Sequence, residues 1–188
     1  MHIISPLGDT ILTLTTTAPP TRMLVSSTHL LQVSPLFQNH LTLSDVANHQ
    51  LTLAGDEPTA LLAIMNAIHG RFWAVPGRRI RLELLKDIAM IVDRYNLFDT
   101  VCTMVPTWVR TARVGNPRAR LHDVAKWFLC VTWVFNQHDM FRFATRELVL
   151  ESSARPNFAG TCVPPRVASK SFFFSPQLDS SRVHVYVY

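Results

Sequence analysis

The sequence predicts an α+β fold: a small mixed sheet of about three strands, a cluster of helices, and a C-terminal helical pair. The early residues alternate apolar with threonine, as half-buried strands do. From residue 56 onward, apolar residues return at helical spacing instead. Between these regimes lies the segment 25–37, VSSTHLLQVSPLF, which reads as a strand end, a short helix, a break and a second short helix.

Residues 1–8 form a short lead. Residues 9–16 (DTILTLTT) make the first strand, with Leu12 and Leu14 on one face beside Thr10 and Thr16. Ala18-Pro19-Pro20 is a turn, and residues 22–25 (RMLV) complete a hairpin. Ser26 and Ser27 are N-cap candidates for the first helix, whose apolar face is Leu30, Leu31 and Val33. Ser34 then caps a second helix, with Pro35 at its first position, where a missing N–H costs little. Leu36, Phe37 and Leu41 continue the apolar face. After a polar connection at 44–49, residues 50–53 (QLTL) give the third strand.

Gly55-Asp56-Glu57-Pro58 is a helix start, with Asp56 as cap and Glu57 at the positive end of the dipole. That helix carries Leu61, Leu62, Ile64, Met65 and Ile68, and Gly70 stops it. A loop at 71–79 holds Phe72 and Trp73. The next helix, 82–95, has Leu82, Leu85, Ile88, Ala89 and Val92 in one stripe and ends at Asn96. A further helical segment, 99–111, turns Val101, Val105 and Trp108 inward, and Pro106 either kinks it or marks its true beginning. Gly115-Asn116-Pro117 is the clearest break. Beyond it, Val124, Trp127, Phe128, Val131, Val134 and Phe135 fall on one helical face. A last helix, capped by Asp139, carries Met140, Phe143, Ala144, Leu148 and Leu150. The expected division is therefore 1–112, a helical extension 113–153, and a mostly unpacked tail 154–188 broken by Pro156, Gly160, Pro164, Pro165 and Pro176. The tail's end, VHVYVY, alternates as a strand that can add to a sheet edge.

Composition limits the function classes. The chain has 188 residues, 48% of them hydrophobic and 16% charged, enough for a substantial core. The mean hydropathy, +0.15, suits a surface that expects company. No apolar run approaches the roughly 18–20 residues of a membrane span, and the start lacks the pattern of a signal peptide. The expected place is intracellular, nuclear or cytoplasmic. The three cysteines, Cys102, Cys130 and Cys162, are widely spaced without a CxxC pair. They read as free thiols in a reducing compartment, the first two as buried packing residues. No metal site or cofactor is indicated.

The formal charge is +5, carried mostly by arginine; the lysines are Lys86, Lys126 and Lys170. Arg71, Arg78, Arg79, Arg81, Arg94, Arg110, Arg113, Arg118 and Arg120 spread over loops and helix ends, which disfavours nucleic acid as a partner. Arg78 and Arg79, with Arg81, form the densest group. His122-Asp123 is adjacent without a nucleophile at an elbow, and His29, His40 and His49 lack ligand spacing. An enzyme is the weakest class.

The order of elements resembles a BTB/POZ domain of the type abundant in filamentous fungi. GDTILTL resembles that family's acidic residue and first strand. MLVSSTHLLQVSPLFQNHL is similar to its second strand and first helical pair, and LTLAGDEPTALLAIMNAIHG to its third strand and next helix. LLKDIAMIVDRYNLFDTV resembles the helix ending Asp, any, Tyr, and WVFNQHDMFRFATRELVLES the helical extension of many fungal members. The resemblance implies a non-enzymatic protein–protein interaction module that recruits a partner or a second copy of itself. It permits an adaptor role in cullin-type ubiquitin ligation. However, the loop that carries a hydrophobic, any, Glu motif in cullin-docking members has no acid here (GRFWAVPG). Ser26-Ser27 stands where many animal members carry His-Lys, and little chain precedes the first strand, unlike relatives whose N-terminal helix supports strand-exchanged dimers. A transcription regulator touching nucleic acid through its basic residues is the remaining alternative. The resemblance gives Asp9 a place in a dimer groove, against a plain turn or strand-start hydrogen bond. Phe72 and Trp73 either anchor a partner or fold back as a lid over the core.

Overall fold

The computed structural model describes residues 1–43, 50–115, 121–151 and 162–164. The chain is an α+β protein built on a four-stranded mixed sheet in the order β1-β3-β2-β4. Its strands are β1 (His2–Ile3), β2 (Thr10–Leu14), β3 (Thr21–Val25) and β4 (Gln50–Leu53). β2 and β3 form the expected antiparallel hairpin, while β4 joins β2 in parallel. The sheet has one strand more than the sequence predicts, because the lead supplies β1, which pairs in parallel with β3. Two residues are too few for a visible alternation, so β1 leaves no mark in the sequence. The turn after it needs Gly8: a Cβ there would lie 2.5 Å from the Val25 carbonyl oxygen.

Pairing aligns the inward residues. Leu12 faces Met23 on one side and Leu51 on the other, and Leu14 faces Leu53; all are buried. The helical pair follows as α1 (Ser27–Val33) and α2 (Pro35–Leu43), placing β4 parallel to β2 after the crossover. Ser34 ends α1 and begins α2: its hydroxyl accepts from Phe37 N–H at 3.4 Å and donates to the Tyr95 carbonyl at 2.6 Å. Phe37 is fully buried and stacks on Tyr95, with ring centroids 4.8 Å apart.

α3 (Pro58–Ile68) is buried along nearly its whole length, and α4 (Leu82–Tyr95) buries the whole predicted stripe. Asn96, in the left-handed conformation with φ 52°, ends α4. The segment around Pro106 is two helices, α5 (Phe98–Val101) and α6 (Val105–Thr111), and Pro106 sits in the first turn of the second. Val101, Val105 and Trp108 are inside as expected. α7 (Leu121–Val134) packs on α4, and Val131 and Phe135 join the main core. α8 (His138–Glu151) packs back on α7.

The last helix faces differently from the prediction. Phe141 and Ala144 are buried, whereas Met140 and Phe143 are exposed. Asp139 lies inside the first turn of α8 rather than capping it. The cysteines also need correction. Cys130 and Cys162 form a disulfide, with Cα atoms 5.6 Å apart, and only Cys102 is a free thiol among the described residues. Cys102 is half-buried, its thiol directed at the Asp99 carbonyl. A separation of 32 residues hides such a pair from any spacing rule. The described piece of the tail, 162–164, is therefore packed: Val163 is buried against Leu129, Phe141 and Ala144. VHVYVY and the other tail residues lie outside the described residues, as does the connection at 44–49.

Candidate functional site

Phe72 and Trp73 stand in a short 3-10 turn, Phe72–Ala74, directly after α3. The turn follows Gly70, at φ 69°, where the chain leaves the helix. Phe72 is 60% exposed and Trp73 79% exposed. The lid reading is thereby overturned: the turn directs both rings away from the core, and Val75 is the residue that tucks in.

Arg71 fixes the ledge. Its guanidinium donates to the Ile3 carbonyl at 2.8 Å and the Ile4 carbonyl at 3.1 Å, and lies 5.8 Å from the centre of the Trp73 ring. One side chain thus ties the turn to β1 and supports the indole by a cation–π contact. Beside the ledge runs an open groove of about 340 Å³, lined by Phe72, Val75, Pro76 and Gly77 from the loop and by Met104 and Trp108 from the α5–α6 region. Trp108 forms the floor, and its indole N–H donates to the Pro76 carbonyl at 2.6 Å. This bond holds the loop against α6.

Asp9 lies away from this groove, at the start of β2. Its carboxylate accepts from the backbone N–H of Ser27 at 2.7 Å and from the Ser27 hydroxyl. Ser26 makes no side-chain cap. The cap of α1 is therefore Asp9, reaching across from the sheet. Slight burial raises the Asp9 carboxyl, but the Ser27 bonds prevail and hold its pKa below the ordinary value. This is the local hydrogen-bonding role.

Arg78 and Arg79 are exposed on the same loop as the ledge. Arg79 has φ 63°, and its N–H donates to the Thr111 hydroxyl at 3.2 Å. Two residues on, Arg81 pairs with Arg113 in an isolated parallel bridge.

Two constellations had no counterpart in the sequence reading. Asp56, expected as a cap, is 3% exposed and forms an ion pair with Arg94, while the Tyr95 hydroxyl donates to it at 2.8 Å. Glu57 takes the cap instead, accepting from Ala60 N–H at 2.6 Å. Burial, then the bond to Asp56, raises the Tyr95 pKa, so the phenol stays a neutral donor. The second is His69, whose Nε2 accepts from Ser26 N–H at 2.9 Å and whose Nδ1 lies 2.8 Å from the Met65 carbonyl. The backbone donor fixes the neutral tautomer, with the proton on Nδ1.

The fold and site together define an α+β protein with an open, mainly apolar groove beside an exposed aromatic ledge. Among the described residues, no helix is long and apolar enough to cross a membrane. Comparison with known proteins gives no match, either to a protein-family model or to a curated protein.

Proposed function

We propose that this chain is a non-enzymatic protein–protein docking module of BTB/POZ type, working through the Phe72–Trp73 ledge and the adjoining groove. The observation that carries this reading is the exposure of both rings, at 60% and 79%, on a loop tied down by Arg71 and Trp108. Exposed, rigid aromatics beside an apolar cleft supply binding energy with little ordering cost. The groove accommodates one or two apolar side chains from a partner protein. The element order, a hairpin, a helical pair, a parallel strand and further helices, supports the BTB/POZ assignment.

The resemblance puts the cullin-docking motif in this same loop, and the motif's acid is missing. The reading is therefore docking of a protein segment without commitment to a cullin. Disulfides are rare in reducing compartments, so the Cys130–Cys162 pair stands against the intracellular placement that accompanies this reading.

Proximity labelling with the parent chain and with a Phe72→Ala/Trp73→Ala variant, at equal expression, tests it. A defined set of proteins enriched by the parent and lost by at least about tenfold with the variant is expected, the size of a 1.4 kcal/mol contact. Identical profiles for the two would reject the ledge as the working surface.

A further inference from the structure

In sequence the arginines look dispersed; in three dimensions the isolated bridge sets two of them, Arg81 and Arg113, side by side. Arg81 and Arg113 are direct partners across a parallel pairing, so their side chains leave the same face as neighbours. The pairing is held by backbone bonds, Leu82 N–H to the Arg113 carbonyl at 2.8 Å and Arg113 N–H to the Ile80 carbonyl at 3.0 Å. The strand-like piece after Arg113 is pinned as well, because Gly115 N–H donates to both Glu83 carboxylate oxygens at 3.1 Å. Arg79 is clamped to Thr111, one turn of α6 beyond Thr107, whose carbonyl accepts from the same Thr111 hydroxyl. The segments 78–81 (RRIR) and 110–115 (RTARVG) thus meet at Arg81 and Arg113, and the acid at this junction, Glu83, is bonded to Gly115 N–H. Arg78, Arg79, Arg81, Arg110 and Arg113 are all exposed, and none is in an ion pair among the described residues.

We propose that this arginine platform binds the phosphodiester backbone of nucleic acid, independently of the apolar groove. Several guanidiniums set on separate, backbone-anchored elements fit a polymer of repeating phosphates. A phosphopeptide, with one isolated dianion, would occupy only part of them. The platform is arginine throughout, and the guanidinium fork matches phosphate oxygens two at a time. Contact of this kind reads charge and not base sequence.

The test uses the full chain and fluorescence anisotropy with a 20-nucleotide single-stranded RNA and a 20-base-pair DNA duplex of arbitrary sequence. Micromolar binding to at least one of them at 50 mM salt is expected, weakening steeply as salt rises. Arg81→Ala/Arg113→Ala should weaken it about tenfold and, on the duplex, reduce the log–log salt slope by about 2, since each phosphate contact contributes about 0.9. A melting curve checks that the variant folds; if it does not, Arg78→Glu, on the exposed loop, replaces it and should weaken binding likewise. No binding to either nucleic acid at 50 mM salt would overturn the proposal. So would an affinity and slope unchanged by substitution, or binding only to phosphatidylserine vesicles.

Discussion

Phe37 and His69 illustrate two ways in which a single side chain joins distant parts of this chain. Phe37 lies fully buried against Tyr95, which in turn donates to Asp56. Phe37→Ala should therefore destabilise the protein by about 3–5 kcal/mol, the range for deleting a core aromatic. Denaturant unfolding measures this, and a curve equal to the parent's would contradict its place in the core. His69 joins the end of α3 to the start of α1. Burial lowers its pKa below 6.5, with His29 and Arg71 adding repulsion and the Met65 bond opposing. A base whose folded pKa is depressed binds fewer protons folded than unfolded. Its stabilising contribution is complete above 6.5 and fades as pH falls through that value towards the folded pKa. The stability difference between the parent and His69→Gln should accordingly be constant at higher pH and shrink below 6.5. A difference independent of pH would show that the imidazole does not titrate there.

Among elements, those with long periodic stretches were legible. The α4 stripe, the β2–β3 hairpin and the Ser34-Pro35 junction occur where the sequence puts them, since each is fixed by residues close in the chain. Elements decided by distant partners were not. Asp56 has the local signature of a cap, but Arg94 and Tyr95, both far along the chain, draw it inside, and Glu57 caps instead. β1 exists only through β3, and the bridge at Arg81 only through Arg113. On α8, periodicity left Phe141 out, whereas packing on α7 selects it. The Cys130–Cys162 pair fastens residues 162–164 to α7. Without reductant, alkylation of the unfolded chain followed by mass spectrometry should modify Cys102 alone and find a Cys130–Cys162 crosslink. Modification of all three cysteines would mean that the strap is absent.

At the scale of the whole molecule, one apolar core runs from the sheet through α3 and α4 to Val131 and Phe135. It buries Phe37 and Trp108 completely or nearly so, yet leaves Phe72 and Trp73 outside. Of the candidate site, the two aromatics were visible in the sequence because they interrupt a loop. Their support was not, because Arg71 acts through the carbonyls of Ile3 and Ile4 and Trp108 through that of Pro76. The core holds the fold, and the two rings of the ledge stand outside it. Equilibrium unfolding of Phe72→Ala/Trp73→Ala tests it most directly. Both rings are largely exposed and bury little against the core, so the variant should retain the parent's stability to within about 0.5 kcal/mol, as exposed substitutions do. A loss approaching that of Phe37→Ala would make the two rings part of the core and remove the docking surface.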